Sequence, residues 1–134
     1  VKYSYMDCRR RAERVGLVIR GPRRIFNSTV AHVGMLYAQR KNVFIDYHNL
    51  VFERFWRREL NIEDPQAVAD VLAEVGANIS GFEAFLNGQG VAELAHIMED
   101  ANDRGVFGVP SFIIDGQLYW GAENLSLVRE HLGS

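Results

Sequence analysis

Two short stretches of this 134-residue chain carry residue types at spacings suited to ligand chemistry. The first is Val106-Phe107-Gly108-Val109-Pro110-Ser111-Phe112. A proline after Gly108-Val109 and before an apolar run admits a cis X-Pro bond, which costs only about 0.5–1 kcal/mol over trans. In that geometry the Val109 N–H and C=O face outward, unpaired by the sheet, and can take a peptide-like ligand as a short added strand. A proline that merely starts a strand fits the same residues. The second stretch is Trp120-Gly121-Ala122-Glu123-Asn124-Leu125. Gly121 follows a strand pattern and precedes a helical one. The first N–H groups of such a helix lack partners, and its dipole is positive there, which suits a carboxylate or phosphate. Glu123 adds an acceptor for an ammonium. Together these groups describe a site for an amino-acid head group. Glu123 also fits as an ordinary acid of a first helical turn.

Other chemistries find little support. His32, His48, His96 and His131 are scattered, with no HExxH and no metal-ligand spacing, so no metal site is expected. Asp46 and His48 stand two apart on a helix and do not face each other. No Ser-His-Asp arrangement or phosphate loop is visible. The aromatics of residues 44–56 read as core rather than as a ligand box. Cys8 is the single cysteine, which excludes an internal disulfide and a cysteine cluster for a metal. It favours a reducing, cytoplasmic setting.

The elements that must position the two stretches are mostly helical. Lys2 to Arg14 reads as a helix stopped by Gly16, and Leu17 to Ile19 as extended. Asn27 or Ser28 caps a helix reaching about Arg40. Val43 to Leu60 is helical, and Phe44, Tyr47, Val51, Phe52, Phe55 and Trp56 spread over so much of it that burial on more than one side is expected. Asp64 and Pro65 open the next helix, with Val68, Val71, Leu72 and Val75 on one face and Gly76 at its end. Ser80-Gly81-Phe82-Glu83 reads as a capping box for a short helix closed by Gly88. A further helix runs from about Val91 to Arg104, with Val91, Leu94, Ala95 and Met98 on one face. Then Ser111 to Ile114 and Gln117 to Trp120 form a hairpin about Asp115-Gly116, a type I′ signal. A last helix, Glu123 to Leu132, turns Leu125, Val128 and Leu132 inward. A lone hairpin is marginal in water, and Phe112, Ile113 and Ile114 are too apolar for a free edge and face. The outer edge of Ser111–Ile114 is therefore expected to pair with a strand from outside this chain, or to be left open.

Composition is that of an ordinary globular domain: 48% hydrophobic and 24% charged. No apolar run reaches the roughly 18 residues of a membrane span. The chain begins at Val1 with no signal-peptide pattern, which reads as a truncated or processed start. Net charge is −2, but residues 1–58 hold 13 Lys and Arg against four acids, net +9, and residues 59–134 hold two Arg against 13 acids, net −11. Such polarity points either to halves that fold together and neutralise, or to an anionic partner for the basic half.

In their order, Gly105-Val106-Phe107-Gly108-Val109-Pro110-Ser111-Phe112, then Asp115-Gly116, then Tyr119-Trp120-Gly121-Ala122-Glu123-Asn124-Leu125 resemble the C-terminal part of 2-hydroxychromene-2-carboxylate isomerases and kappa-class glutathione transferases. Both lie in the DsbA-like branch of the thioredoxin superfamily. The helices before Gly105 resemble the helical domain that this branch inserts. The resemblance implies a thioredoxin-like α/β fold, present here as an α-helical insertion domain (1–104) and the C-terminal ββα of the thioredoxin-like domain (105–134). It implies glutathione as cofactor and a conjugated aromatic carboxylate as substrate, with a homodimer among the assemblies it allows. In the implied isomerase mechanism the glutathione thiolate adds to the substrate, a bond rotates and the thiol leaves. Pro110 matches the family's cis-proline, and Val109 the residue whose backbone pairs with the cysteinyl unit of glutathione. Gly121 leads into Ala122, Glu123 and Asn124, which match the turn holding the γ-glutamyl head group. Members more often carry Asp and Arg where this chain has Glu123 and Asn124; the longer acid still reaches an ammonium, and one cation is lost. The family's N-terminal strand–helix–strand would precede Val1, so the catalytic residue is expected there and the chain alone is expected to lack isomerase activity. A Ser in that segment marks an isomerase; a Cys-x-x-Cys marks a DsbA-like thiol–disulfide oxidoreductase. Cys8, in mid-helix beside Arg9, matches neither.

A rival of another class is a nucleic-acid-binding module using Arg9, Arg10, Arg11, Arg14, Arg20, Arg23 and Arg24. It requires affinity that falls steeply with salt, and it leaves residues 105–125 unexplained.

Overall fold

The computed structural model describes residues 2–133. They divide into two compact units, Val1–Leu94 and Ala95–Ser134. The division falls inside a helix, earlier in the chain than the change from helical to strand pattern at 104/105.

The first unit holds α1 (Lys2–Arg14), α2 (Thr29–Arg40), α3 (Phe44–Arg57), α4 (Pro65–Glu74), α5 (Phe82–Leu86) and the start of α6 (Gln89–Asp103). Local hydrogen bonds set most of the ends. At the end of α1, Gly16 takes φ +73° and the Leu17 N–H reaches back to the Ala12 carbonyl at 2.9 Å, the closing bond of a glycine-terminated helix. Residues 17–20 are irregular rather than a strand; the Arg20 N–H is taken by the Trp56 carbonyl at 2.7 Å. Asn27, not Ser28, serves the start of α2, accepting from the Thr29 N–H at 2.9 Å and the Thr29 hydroxyl at 2.6 Å. Asp64 caps α4 through the Gln66 N–H at 2.9 Å, with Pro65 at the first helical position.

The expected capping box at Ser80 does not form. Gly81, not Ser80, occupies the N-cap of α5, so the serine hydroxyl stands one residue too early, and the Ser80 N–H is taken by the Asn78 side chain at 3.0 Å.

Helix α2 is central and packs against α3, α4 and α5. Val33, Leu36 and Ala38 of α2 and Val68, Val71 and Leu72 of α4 are almost wholly removed from water, each larger side chain contributing roughly 1.5–3 kcal/mol. Tyr37 packs edge-on to Phe82, centroids 5.4 Å apart, and donates to the Asn78 carbonyl at 2.7 Å. Tyr47 donates to the Ala31 carbonyl at 2.8 Å, and the burial of its ring pushes its hydroxyl pKa far above the ordinary tyrosine value.

Burial of α3 on several sides is not observed. Tyr47 and Val51 are buried, Phe44, Phe55 and Trp56 are half-buried, and Ile45 and Phe52 are exposed. Its neighbours α2 and α4 cover one stripe of it, and the remaining aromatics stack along its outer surface: the His48 and Phe52 rings lie 4.5 Å apart. Of the expected α6 stripe, Leu94 is buried and Val91 and Met98 are exposed.

An ion pair ties the segment before α2 to the segment before α4. Arg24 forks onto both Glu63 oxygens, and the Asn27 N–H donates to the same carboxylate at 2.6 Å. Arg24, then the Asn27 N–H, hold the Glu63 carboxyl at about 2, below its ordinary value of 4.5. A carboxyl lowered on folding contributes stability that is complete above the ordinary value and is lost as pH falls through the folded value. Urea midpoints of the parent and Glu63→Gln are therefore expected to differ at pH 7, to draw together as pH falls below 4.5, and to converge only at about pH 2 and below. A difference that stays constant across that range would refute the assignment.

The second unit holds the rest of α6, β1 (Ser111–Ile114), β2 (Gln117–Trp120), a 3-10 turn (Ala122–Asn124) and α7 (Leu125–His131). The strands pair antiparallel with Ser111 opposite Trp120 and Ile114 opposite Gln117. Asp115 and Gly116 both take positive φ, +48° and +78°, as a type I′ turn requires. Among the described residues the sheet has these two strands, with no third strand in residues 2–104. The last helix is shorter than its sequence pattern, because the 3-10 turn takes its first residues. Val128 is buried, whereas Leu125 and Leu132 are exposed rather than inward. None of the described helices is long and apolar enough to cross a membrane.

Candidate functional site

The hairpin brings the two sequence stretches together. The pairing of Ser111 with Trp120 continues one step further, where the Gly121 N–H donates to the Pro110 carbonyl at 2.9 Å. Val109-Pro110 and Gly121–Asn124 therefore meet at the open end of the hairpin, opposite its two-residue turn.

The Val109–Pro110 peptide is cis. Val109 is 88% exposed, and among the described residues neither its N–H nor its C=O has a hydrogen-bond partner. The loop around it is braced from behind. The Ser111 hydroxyl donates to the Gly108 carbonyl at 2.6 Å, and the Phe107 and Trp120 rings lie 5.1 Å apart. A Cβ on Gly108 would stand 2.5 Å from the Trp120 indole nitrogen, so this residue is small because the indole lies on it. No local sequence pattern signals this contact, because Gly108 and Trp120 meet only once the hairpin has formed.

Gly121 takes φ +94° and ψ 152°, a backbone region open essentially to glycine alone. It turns the chain out of β2 so that Ala122 begins the 3-10 turn. Asn124 locks that turn: its side-chain amide donates to the Trp120 carbonyl at 2.5 Å and its N–H to the Gly121 carbonyl at 3.2 Å. The side-chain amide of Asn124 is thus engaged in holding the loop. The Glu123 carboxylate folds back over Gly121, exposed and without a hydrogen-bond or ion-pair partner among the described residues. The Ala122 and Glu123 N–H groups are likewise unpartnered among those residues. An anion at this turn would therefore meet these N–H groups rather than a long helix dipole, since α7 has seven residues.

Below the turn lies a group of residues that the sequence reading did not assemble. His131, at the end of α7, contacts Tyr119 on β2 and Asp115 in the hairpin turn. No local spacing signals it, because its members stand 12 and 16 residues apart.

The helical unit carries two features of its own. Ala31 and Met35 of α2 and Tyr47, Phe55 and Trp56 of α3 line an apolar cavity of about 220 Å³. Part of the aromatic run therefore faces a cavity rather than closed core. The basic half is partly neutralised by the acidic half within this unit, through Arg24–Glu63, Arg40–Glu93 and Arg54–Glu74. Arg11 and Arg57 pair with Asp7 and Glu53 on their own helices. Of the arginines considered for a nucleic-acid surface, Arg11 and Arg24 are in these pairs. Cys8 is exposed on α1.

Comparison with known proteins adds the following. The family described as DSBA-like thioredoxin domain matches residues 1–133. A 2-hydroxychromene-2-carboxylate isomerase of Pseudomonas putida is 27% identical, over 99% of this chain and 66% of its own length. The enzyme of the same name from Pseudomonas sp. (strain C18) is 26% identical, over 99% of this chain and 64% of its own length. A solved structure of 2-hydroxychromene-2-carboxylate isomerase superposes with a TM-score of 0.79 at 26% identity, over 98% of this chain and 65% of that one. The chain thus spans just under two thirds of the length of these relatives.

Proposed function

The chain belongs to the DSBA-like thioredoxin domain family, and from that membership we propose that it is part of a glutathione-dependent isomerase acting on a conjugated aromatic carboxylate. Its fold is the DsbA-like thioredoxin fold, and the relatives it resembles along nearly its whole length are named as 2-hydroxychromene-2-carboxylate isomerases.

The observation that carries the reading is the meeting of Val109-Pro110 and Gly121–Asn124 through the Gly121 N–H and the Pro110 carbonyl. One edge of the molecule then offers, among the described residues, an unpartnered peptide N–H and C=O at Val109, unpartnered N–H groups at Ala122 and Glu123, and an unpaired carboxylate at Glu123. A tripeptide thiol with an amino-acid head group presents the complements of all of these. Val109 would take its central peptide as an added strand. The Ala122 and Glu123 N–H groups would take the head-group carboxylate. Glu123 would take the ammonium. When bound, glutathione supplies the sulfur nucleophile of the isomerisation. Gly121 and Asn124 fix the turn, and Trp120, lying on Gly108, fixes the loop that displays Val109. The chain's role is to orient the cofactor by its central peptide and its head group, which lowers the entropic barrier to reaction.

The activity is tested in the full-length gene product with 2-hydroxychromene-2-carboxylate, followed by absorbance with and without reduced glutathione. Isomerisation that requires the thiol is expected. Equal rates without glutathione, or no turnover with it, would remove this reading.

A further inference from the structure

Three side chains in the second unit form a hydrogen-bonded chain that the proposed chemistry does not use. The Tyr119 hydroxyl lies 2.8 Å from His131 Nδ1, and His131 Nε2 lies 3.0 Å from Asp115 Oδ2. The Tyr119 hydroxyl also reaches Gln117 Oε1 at 3.0 Å. The Tyr119 and His131 rings meet edge-on, centroids 5.9 Å apart at 87°.

The donors and acceptors balance in either ring state. With one proton, on Nε2, the ring accepts the Tyr119 hydroxyl at Nδ1 and donates to Asp115. With both nitrogens protonated, Nδ1 donates to Tyr119, whose hydrogen turns to Gln117 Oε1. The Gln117 carbonyl is the spare acceptor that lets the chain stay closed.

The mechanical consequence follows from what holds α7 at each end: the Asn124 bonds to Trp120 and Gly121 at its start, and His131 at its end. The helix has seven residues, too few to be stable alone. Val128 is its one buried side chain among the described residues. A short rod resting on one apolar contact can pivot about it unless its ends are tied. The start of α7 is the ligand-facing turn, Ala122–Asn124; its end is His131.

We infer that His131 is a positioning residue: by tying the end of α7 to Asp115 and Tyr119, it fixes the Ala122–Asn124 turn that receives an amino-acid head group. The inference rests on the reading of that turn as the head-group site. The side chain acts from the opposite end of the helix, through the helix.

The test is the dissociation constant of reduced glutathione, measured by calorimetry on the parent chain and on His131→Ala, His131→Asn, His131→Gln, Tyr119→Phe, His131→Ala with Tyr119→Phe, and Glu123→Ala. His131→Ala is expected to weaken binding roughly three- to ten-fold, the scale of one or two hydrogen bonds lost. Because Tyr119 acts through the same chain, the double variant should be no worse than His131→Ala alone. Asn keeps an acceptor near Nδ1 and Gln a donor near Nε2, so each should recover part of the loss, whereas His131→Leu, measured alongside and filling similar space without hydrogen bonds, should not. If the parent binds and Glu123→Ala weakens binding, but His131→Ala leaves it unchanged, the inference fails while the site stands. If Asn and Gln are no better than His131→Leu, the hydrogen bonds of His131 do not position the turn and the inference again fails. If the parent does not bind, the reading of the site fails and the inference falls with it.

Discussion

Gly34→Val is expected to lower the stability of the helical unit by about 3 kcal/mol, near the top of the usual range for overpacked cores. Gly34 is buried on α2 where that helix meets α3 and α4. A Cβ there would collide with the Tyr47 hydroxyl and stand 2.7 Å from Val68 Cγ1. Neither neighbour can yield cheaply. The Tyr47 hydroxyl is fixed by its bond to the Ala31 carbonyl, and both side chains lie in the packed interior. Relief would require moving α2 off α3 and α4 together, and so opening the contacts of Val33, Leu36, Leu72 and their neighbours. The small gain in helix propensity over glycine, a few tenths of a kcal/mol, does not offset this. Thermal melting of the variant should fall by roughly 10 °C. A midpoint within a degree or two of the parent would show that the helices are not packed as closely as described.

Glu123→Ala is expected to weaken glutathione binding about ten-fold, with no change in the stability of the helical unit. A hydrogen bond between charged partners contributes roughly 1.5–3 kcal/mol, and an exposed carboxylate sits at the lower end of that range because water screens it. Each 1.4 kcal/mol corresponds to about a ten-fold change in Kd. Since the Glu123 carboxylate has no partner within the described chain, its loss should cost nothing when no ligand is present. Glu123→Gln separates charge from shape: if an ammonium is the partner, Gln should bind nearly as poorly as Ala. Unchanged affinity in both variants would remove Glu123 from the site.

What was legible in the sequence was what short-range hydrogen bonds decide. Gly16 and Gly76 stop their helices in the left-handed region, Asp64 caps α4, and Asp115-Gly116 sets the hairpin and its register. From that register the meeting of Val109-Pro110 with Gly121 follows, because a two-residue turn fixes which residues face each other. Burial was less legible. An apolar pattern shows which face can be buried, but neighbours decide which face is. Phe52 on α3, Met98 on α6 and Leu125 on α7 fit apolar stripes and are exposed, because no described element covers them. At Ser80 the capping pattern was present but displaced by one residue from the N-cap that forms. The Asp115–His131–Tyr119 chain was invisible because its members are joined only when α7 folds back along the hairpin.

The central claim is that residues 109 and 121–124 form one ligand-binding edge. It is tested most directly by titrating reduced glutathione into the uniformly ¹⁵N-labelled chain and following its amide resonances. The account predicts saturable shifts at Val109, Gly121, Ala122 and Glu123, with the same resonances moving only at higher glutathione in Glu123→Ala. Resonances unmoved at these positions, or shifts confined to the helical unit, would contradict it.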